Sequence, residues 1–153
     1  MLKLATLCYI KDGSQTLMLH RVKKENDMHV GKWNGLGGKV EQGESPEACA
    51  IREIHEESGL IVRDPLLKGF ITFPQFDGKN DWYVFVYRFD NFEGELIDSP
   101  EGNLEWISDK RMREIPLWDG DRIFMEWLDK KGIFSAVFNY KAGVLRDWNV
   151  TWY

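Results

Sequence analysis

The sequence predicts an α/β (α+β) protein in which a mixed β-sheet is sandwiched between helices. Three observations lead to this prediction. Short runs rich in β-branched and aromatic residues recur along the chain and end at Gly, Pro, Asn or Asp. Two other segments show the spacing of apolar residues that is typical of helices. The length of 153 residues suits one domain with a sizeable core, so residues 1–153 are interpreted as a single domain.

The predicted strands share a high content of aliphatic and aromatic residues and are bounded by turn-forming residues. They are expected at 2–10, 16–22, 66–75, 81–89, 103–107, 133–141 and 144–152. Asp12-Gly13 and Ala142-Gly143 are interpreted as the turns of two hairpins near the two ends of the chain. The polar, glycine-containing stretch 23–35 is predicted to be a loop.

The first helix is predicted to run from Pro46 to Ser58, because the sequence carries signals for both of its ends. Ser45 is a favourable N-cap, and proline fits the first helical position, where no N–H is needed. Gly59 is a common residue at a helix C-terminus. A second helix is predicted at 120–131, where apolar residues recur at helical spacing.

At 100° per residue, the first helix is predicted to be amphipathic. The aliphatic residues of one face are Ala48, Ile51 and Ile54. The carboxylates of the opposite face are Glu53, Glu56 and Glu57. We expect the aliphatic face to pack on the sheet and the carboxylate face to point outward.

Composition and charge exclude several classes of function. The net charge of −5 argues against binding to a nucleic-acid polymer, which requires a basic surface. No apolar run approaches the roughly 18 residues that span a membrane, and the apolar N-terminus does not resemble a signal peptide. Cys8 and Cys49 are too few for a disulfide framework and are interpreted as buried thiols. These features predict a cytoplasmic protein that does not bind membranes, with monomer and homodimer both left open.

Three carboxylates within about one helical turn have two interpretations. Like charges at i,i+3 and i,i+4 destabilise a helix by a few tenths of a kcal/mol per pair, so the group could simply be a solvated face. A divalent cation would reverse that penalty, because Mg²⁺ and Mn²⁺ prefer oxygen ligands. Gly37-Gly38 would let a backbone carbonyl approach a metal or a phosphate closely. Arg52 lies beside the carboxylates and could orient one of them through a bidentate pair.

A longer pattern then favours the metal interpretation. Gly38, Glu44 and the run Arg52–Leu60 (REIHEESGL) match every fixed position of the Nudix box, Gly-x5-Glu-x7-Arg-Glu-U-x-Glu-Glu-x-Gly-U, in which U is aliphatic. The chain therefore resembles the Nudix hydrolases. That resemblance implies a Nudix fold and Mg²⁺-dependent hydrolysis of a nucleoside diphosphate linked to another group, with Mn²⁺ as a substitute ion.

The resemblance also implies roles for single residues. The positions that correspond to the metal site of the family are the Gly37 carbonyl, Glu53, Glu56 and Glu57. Glu53, Glu56 and Arg52 are interpreted as the catalytic residues, with Glu53 as the leading candidate for the base that accepts a proton from water. Glu44 is expected to close the loop through a salt bridge or hydrogen bond rather than to bind metal.

Three more charged residues have two interpretations each. Glu101 follows Ser99-Pro100 in a segment that resembles the loop by which many Nudix hydrolases contribute an extra carboxylate. It is interpreted as a metal ligand or base, the alternative being an exposed loop acid. Lys39 would meet a phosphate or pair with a nearby glutamate. Lys23 would reach the substrate or remain an exposed lysine.

One segment before the helix resembles the Nudix hydrolases that cleave oxidised purine nucleoside triphosphates. There, Trp33-Asn34-Gly35 precedes Gly37-Gly38. Asn34 corresponds to the asparagine that reads the base, and an amide suits this task because it both donates and accepts hydrogen bonds. Gly38 is included among the predicted substrate-binding residues.

A second segment resembles the loop that binds the base in the same enzymes. Trp118 corresponds to the tryptophan that stacks on the base, with core or lid residue as the alternative. Asp121 matches the second of two adjacent aspartates that bond the base edge, whereas Gly120 replaces the first. Asp119 is also predicted to bind substrate, and either aspartate could instead cap the following helix.

The predicted function is the cleavage of a purine nucleoside triphosphate, such as 8-oxo-dGTP, to a monophosphate and pyrophosphate. Such a reaction sanitises the nucleotide pool, and the expected partner is the nucleotide itself. ADP-ribose, nucleotide sugars and dinucleoside polyphosphates are alternative substrates. A non-catalytic nucleotide-binding module is a further alternative, which the complete set of box carboxylates disfavours.

Overall fold

The computed structural model describes residues 1–23 and 29–153. The strands are β1 (Leu2–Asp12), β2 (Gln15–His20), β3 (Trp33–Asn34), β4 (Ile61–Arg63), β5 (Leu66–Phe73), β6 (Asp81–Phe89), β7 (Asn91–Glu93), β8 (Asn103–Ser108), β9 (Phe134–Lys141) and β10 (Val144–Trp152). The helices are α1 (Pro46–Ser58) and α2 (Asp119–Phe124), with 3₁₀ helices at Arg111–Arg113 and Met125–Asp129. All seven predicted strands are found within two residues of their expected ends.

Eight of these strands form one sheet in the order β10-β9-β5-β6-β1-β2-β3, with β8 paired to β2. The sheet is mixed, because β1 runs parallel to β6 and β5 runs parallel to β9, whereas the other pairs are antiparallel. Strands β4 and β7 form a separate two-stranded sheet. The predicted mixed sheet is thus confirmed.

The two faces of the central sheet carry separate hydrophobic clusters. Since side chains alternate along a strand, β1 contributes Tyr9 to one cluster and Cys8 to the other. The first cluster includes Phe124 of α2, and the second includes Ile54 of α1. The sheet therefore lies between helices, as predicted. Within the described residues, no helix has the length and apolar character that crossing a bilayer requires.

The ends of α1 agree with the prediction. Ser45 accepts a hydrogen bond at its Oγ from the backbone N–H of Ala48, at 3.1 Å. Gly59 adopts a left-handed conformation with φ of 82°, and its N–H donates to the carbonyl of His55. The N-cap and the glycine thus define a helix of 13 residues.

The predicted faces of α1 were correct in part, because Ile54 is buried and Glu56 is exposed as expected. The prediction was wrong for three other residues. The residues that α1 buries are Cys49, Ala50, Ile54, Glu57 and Ser58. Ala48 is exposed and Ile51 is 37% exposed, although both were assigned to the packing face. Glu57 is only 6% exposed, although its face was expected to point outward. The helix is rotated relative to the prediction because its carboxylate side packs against the Gly37-Gly38 backbone.

Two other elements differ from the prediction. The second helix starts at Asp119 and tightens into a 3₁₀ helix from Met125 to Asp129, where an α-helix up to residue 131 was expected. This tightening buries both Trp127 and Leu128 in the core. Strand β3 interrupts the predicted loop 23–35, of which residues 24–28 lie outside the described residues. Strands of two or three residues are too short to show a periodic pattern.

Candidate active site

A cleft of about 310 Å³ lies on the side of the sheet that carries α2. The aromatic residues of its wall are His29, Phe73, Phe76, Trp82, Trp118 and Tyr140. The predicted substrate-binding residues that line it are Asn34, Gly38, Lys39, Trp118 and Asp121. Lys23 and Asp119 are not part of this lining. A mostly apolar cleft with a few polar groups is typical of a small-molecule site.

Trp118 is both a core residue and part of the cleft wall. Its indole is 7% exposed and donates its Nε1–H to Nδ1 of His29 at 2.7 Å. The ring contacts Phe76 and Tyr140 edge-on, with centroid distances of 5.0 Å and 5.5 Å. The ammonium group of Lys32 lies 5.1 Å from the indole centroid. These contacts fix the plane of the indole at the border of the cleft.

Asn34 presents an amide nitrogen beside the cleft that has no hydrogen-bond partner among the described residues. Its Nδ2 atom is buried and, among residues 1–23 and 29–153, has no hydrogen-bond partner. Buried polar atoms of proteins are normally hydrogen-bonded. An unpaired donor in the lining of a cleft is therefore available to an acceptor on a bound molecule.

Asp121 differs from Asp119 in its surroundings. Asp121 is 6% exposed and lines the cleft, whereas Asp119 is exposed. Burial raises the pKa of the Asp121 carboxyl to about 7, against the opposing charges of Lys32 and Arg122. The alternative of a capping role was wrong for both aspartates, because the N-cap position of α2 is Trp118 and no side chain caps the helix.

The backbone of Gly37-Gly38 connects this cleft to the carboxylates of α1. It pairs with β1, since the N–H of Thr6 donates to the carbonyl of Gly38 at 2.9 Å. Gly37 has a φ of 144°, and a Cβ there would lie 2.1 Å from the Thr6 carbonyl oxygen. A Cβ on Gly38 would lie 2.5 Å from the carboxyl carbon of Glu53. Only glycine permits this close approach of helix, loop and strand.

Glu57 is the carboxylate that packs most deeply against this loop. The N–H of Gly37 donates to Glu57 Oε1 at 2.9 Å. Burial raises the pKa of Glu57 to about 8, with the hydrogen bond from Gly37 acting in the opposite direction. A buried carboxylate of this kind is stabilised in its charged form by a nearby cation.

Arg52 links the remaining carboxylates of the segment. Its Nε and Nη2 atoms bind the two carboxylate oxygens of Glu44 at 2.7 Å and 2.9 Å. Its Nη1 atom contacts Glu53 at 2.8 Å and Glu56 at 3.3 Å. The hydrogen bond from Arg52 lowers the pKa of Glu44 to about 2. Glu44 thus occupies a bidentate ion pair, which agrees with the salt bridge or hydrogen bond expected for it.

Glu53 and Glu56 differ in exposure. The side chain of Glu53 is 19% exposed, and that of Glu56 is 58% exposed. Burial raises the pKa of Glu53, while the hydrogen bond and charge of Arg52 lower it. A raised pKa makes a carboxylate a better proton acceptor near neutral pH.

Glu101 and Lys23 belong to a neighbouring ion-pair group. Arg21 contacts Glu101 through Nη1 and Oε2 at 3.2 Å. The ammonium group of Lys23 donates to the carbonyl of Ser99 at 2.7 Å and pairs with Asp98. Lys23 is therefore bound to the loop that carries Glu101 instead of pointing into the cleft.

Lys39 lies at the mouth of the cleft. Its ammonium group is 5.7 Å from the ring centroid of Trp82, and the residue is exposed. In the part of the chain that the structure describes, it forms no ion pair with a glutamate. The position would allow Lys39 to meet a negatively charged ligand.

Sequence reasoning missed the remaining cleft residues. Those that it did not identify include Thr6, Arg21, His29, Phe73, Phe76, Trp82 and Tyr140. For Tyr140, the alternation of side chains along a strand was an available signal. It places Tyr140 on the same face of β9 as Phe138, which lies in the core. His29 and Phe76 lie in connecting segments without any such pattern.

The predicted metal ligands fit a divalent cation in chemistry but are not gathered into a cage. Across residues 1–23 and 29–153, no three His, Cys, Asp or Glu side chains converge in a geometry that would hold a metal ion. In the structure, Arg52 contacts Glu53 and Glu56, and Arg21 contacts Glu101. Mg²⁺ commonly uses only one or two protein carboxylates together with substrate phosphates. The buried Glu57 beside a glycine backbone meets that requirement.

Comparisons with known proteins point to one family. The family model of the NUDIX domain matches residues 1–128. The chain is 36% identical over 142 residues to the oxidized purine nucleoside triphosphate hydrolase of Danio rerio, and this match covers 92% of this chain and 88% of that protein. It is 31% identical over 144 residues to the uncharacterized Nudix hydrolase YvcI of Bacillus subtilis strain 168, and this match covers 91% of this chain and 87% of that protein. The crystal structure of a mutator MutT protein from Bacillus halodurans matches with a TM-score of 0.84 and 32% identity over 97% of both chains.

Proposed function

Because the chain belongs to the Nudix hydrolase family, we propose that it cleaves purine nucleoside triphosphates to a monophosphate and pyrophosphate. The leading proposed substrate carries an oxidised purine, as in 8-oxo-dGTP. The chain is a pyrophosphohydrolase of nucleotide substrates. The proposal concerns which nucleotide it prefers and how its residues divide the work.

One observation carries this proposal. Gly37, Gly38 and Lys39 line the aromatic cleft, and the same two glycines contact the carboxylates of Glu57 and Glu53. A planar ring in the cleft would thus have its phosphate chain directed along this backbone toward α1. The cleft would select the base and the helix would supply the hydrolytic chemistry.

The proposed ring contacts come from three residues. Trp118 offers its indole face, because the bond to His29 holds the ring at the cleft border. Asn34 offers an unpaired Nδ2 donor among the described residues. Asp121 offers a buried carboxyl whose pKa of about 7 allows it to donate or accept a hydrogen bond near neutral pH. Lys39 is proposed to meet the phosphates, with the backbone of Gly38 beside it.

The proposed ligands of the divalent ion are the Gly37 carbonyl, Glu53, Glu56, Glu57 and Glu101. Mg²⁺ is the proposed ion, with Mn²⁺ as a substitute. When bound, it would neutralise phosphate oxygens and acidify the attacking water. To bind the ion, Glu56 and Glu101 would exchange their present arginine contacts for it. Glu53 would bind through its second oxygen, while Oε1 keeps its contact with Arg52.

Glu53 is the proposed general base. Its carboxylate lies against Gly38, at the junction of the cleft and the helix. Burial raises its pKa, which favours proton uptake from water. Arg52 is proposed to hold Glu53 in place while its bidentate pair with Glu44 fixes the guanidinium itself. Lys23 and Asp119 have no proposed substrate contact, because neither lines the cleft.

The chain is further proposed to act as a single domain over residues 1–153. Strands β9 and β10 follow the matched family region, yet β9 pairs with β5 inside the central sheet. Tyr140 of β9 also lines the cleft. Strand β9 is therefore proposed to contribute to the same site as the Nudix box.

Steady-state kinetics over a nucleotide panel would test this function. The panel contains 8-oxo-dGTP, dGTP, dATP, ADP-ribose and a diadenosine polyphosphate, each with Mg²⁺. We expect the highest kcat/KM for 8-oxo-dGTP and a strongly reduced kcat for Glu53→Gln with every substrate. The matched control is Glu126→Gln, which removes an exposed carboxylate outside the site. A preference for ADP-ribose over all triphosphates would refute the proposed substrate.

A further inference from the structure

The hydroxyl group of Tyr140 occupies the space that a side chain at position 120 would need. A Cβ built on Gly120 would lie 2.7 Å from Tyr140 Oη and 3.0 Å from a ring carbon of Phe138. Position 120 is where the chain departs from the resemblance to oxidised-purine hydrolases, which carry an aspartate there. A carboxylate at this position is therefore incompatible with Tyr140 in its present place.

The hydrogen bonds of this hydroxyl leave it as a donor. The backbone N–H of Gly120 donates to Tyr140 Oη at 2.6 Å, in a buried contact. Elsewhere in residues 1–23 and 29–153, the hydroxyl hydrogen meets no acceptor. Burial raises the pKa of Tyr140 above its usual range, and the charges of Asp121 and Asp119 add to this effect. The hydroxyl therefore keeps its proton at neutral pH.

The ring of Tyr140 is held rigidly at the cleft. It contacts Phe76 edge-on at a centroid distance of 5.2 Å and Trp118 at 5.5 Å. It is 9% exposed and lines the cleft together with Asp121 and Asn34. Tyr140, whose hydroxyl is fixed by Gly120, thus belongs to the same lining as the residues proposed to read the ring.

We propose that Tyr140 is a specificity-determining residue whose hydroxyl donates a hydrogen bond to an acceptor atom on the edge of the bound purine. The acceptor is an oxo group or an unprotonated ring nitrogen. A carboxylate at position 120 would accept hydrogen bonds, whereas this hydroxyl donates one, so the two arrangements select opposite partners. The inference rests on the proposed function, because it assigns the ring to this cleft.

The test compares substrates that differ in the acceptor atoms of the purine edge. The pair dGTP and 7-deaza-dGTP differs by the N7 acceptor alone. The pair dITP and the triphosphate of purine deoxyriboside exchanges O6 for an unprotonated N1, and the pair 8-oxo-dGTP and dGTP exchanges O8 for an unprotonated N7. In the wild type, we expect removal of one of these acceptors to lower kcat/KM by about 5- to 10-fold. In Tyr140→Phe, the same removal should change kcat/KM by less than about 2-fold, since the donor is gone. Ratios within one variant cancel any general loss of activity.

A second variant and a control keep the test decisive if Tyr140→Phe is unstable. Gly120→Ala retains the tyrosine but places a Cβ against its hydroxyl, so it should remove the same discrimination. Tyr83→Phe makes the same chemical change at a tyrosine that is 40% exposed and should leave every ratio unchanged. If kcat/KM fell by the same factor for all substrates in Tyr140→Phe and in Gly120→Ala, the proposal would be overturned, and Tyr140 would have a structural role only.

Binding separates this inference from the proposed function. Dissociation constants of the corresponding monophosphates are read from tryptophan fluorescence without Mg²⁺. Acceptor-dependent binding that disappears in Tyr140→Phe supports the inference even if no triphosphate is hydrolysed. Hydrolysis of triphosphates with identical acceptor ratios in wild type and Tyr140→Phe supports the proposed function and overturns the inference. Absence of any binding by the wild type contradicts both.

Discussion

The backbone N–H of Gly37 donates to Glu57 Oε1 at 2.9 Å, and this bond joins the loop of the cleft to the helix of the Nudix box. Glu57 is 6% exposed, so its carboxylate is removed from water, and within residues 1–23 and 29–153 its hydrogen-bond donor is the backbone N–H of Gly37. Such a group is costly in an apoprotein and favourable beside a divalent cation. The bond therefore connects the fold of α1 to the chemistry that the box supplies.

The first prediction concerns Glu57→Gln. The amide oxygen of glutamine would still accept the hydrogen bond from Gly37, and the buried carboxyl, whose pKa burial raises to about 8, would be replaced by a group that does not ionise. We expect an unchanged or higher Tm but a kcat lower by orders of magnitude, because a neutral amide is a poor Mg²⁺ ligand. Thermal melting and kcat at increasing Mg²⁺ would measure both effects. Near-wild-type turnover at saturating Mg²⁺ would rule out Glu57 as a ligand.

The second prediction concerns the ion pair of Glu44 with Arg52. The pKa of Glu44 is lowered from its usual 4.5 to about 2, so its stabilising effect is complete above pH 4.5. This effect is lost as the pH falls toward 2. We expect Glu44→Gln to be less stable than the wild type at pH 7, and the difference in Tm to shrink between pH 4.5 and 2. An equal difference in Tm between the wild type and Glu44→Gln at pH 7 and pH 2 would contradict a stabilising ion pair between Glu44 and Arg52.

The third prediction concerns the buried Asp121. Its pKa is raised from 3.8 to about 7. The contribution of this carboxyl to the stability of the folded protein is therefore most favourable below pH 3.8, and it is lost as the pH rises toward 7. Asp121→Asn lacks this dependence. Relative to Asp121→Asn, the wild type should lose up to about 4 kcal/mol in free energy of unfolding between pH 4 and 7. Urea denaturation at pH 4, 5.5 and 7 measures the trend, and a constant difference would contradict it.

The fourth prediction concerns the hydrogen bond from Trp118 to His29. His29→Phe keeps an aromatic ring beside Phe76 but cannot accept the indole N–H. We expect KM to rise by about 3- to 10-fold while kcat changes little, because the indole is then less well held at the cleft border. His29→Asn offers an acceptor oxygen and should restore most of the affinity. Equal KM values for the two variants would show that the hydrogen bond is unimportant for binding.

The sequence predicted the boundaries of α1 but not its orientation. Ser45, Pro46 and Gly59 determine the helix ends by local backbone chemistry, which one sequence shows directly. Helical periodicity places the apolar Ile51 on the buried side and the charged Glu57 on the outer side, whereas Ile51 is 37% exposed and Glu57 is 6% exposed. Glu57 is buried because a backbone N–H from a distant loop satisfies it, and no helical pattern contains that information.

The grouping of the carboxylates on α1 could be predicted from the sequence, whereas the grouping of the cleft residues could not. Their spacing is short-range and follows from one turn of helix. The cleft instead joins Asn34 of β3, Phe76 after β5, Trp118 before α2 and Tyr140 of β9. These segments are far apart in sequence, so only the pairing order of the strands brings their side chains together.

Product analysis with 8-oxo-dGTP and Mg²⁺ tests the central claim most directly. The wild type is incubated with this nucleotide, and the products are separated by ion-exchange chromatography and identified by mass spectrometry. If the cleft binds the base while the helix carboxylates act on the phosphate chain as proposed, the products are 8-oxo-dGMP and pyrophosphate in equal amounts. Release of inorganic phosphate with 8-oxo-dGDP, or no turnover at all, would contradict the account.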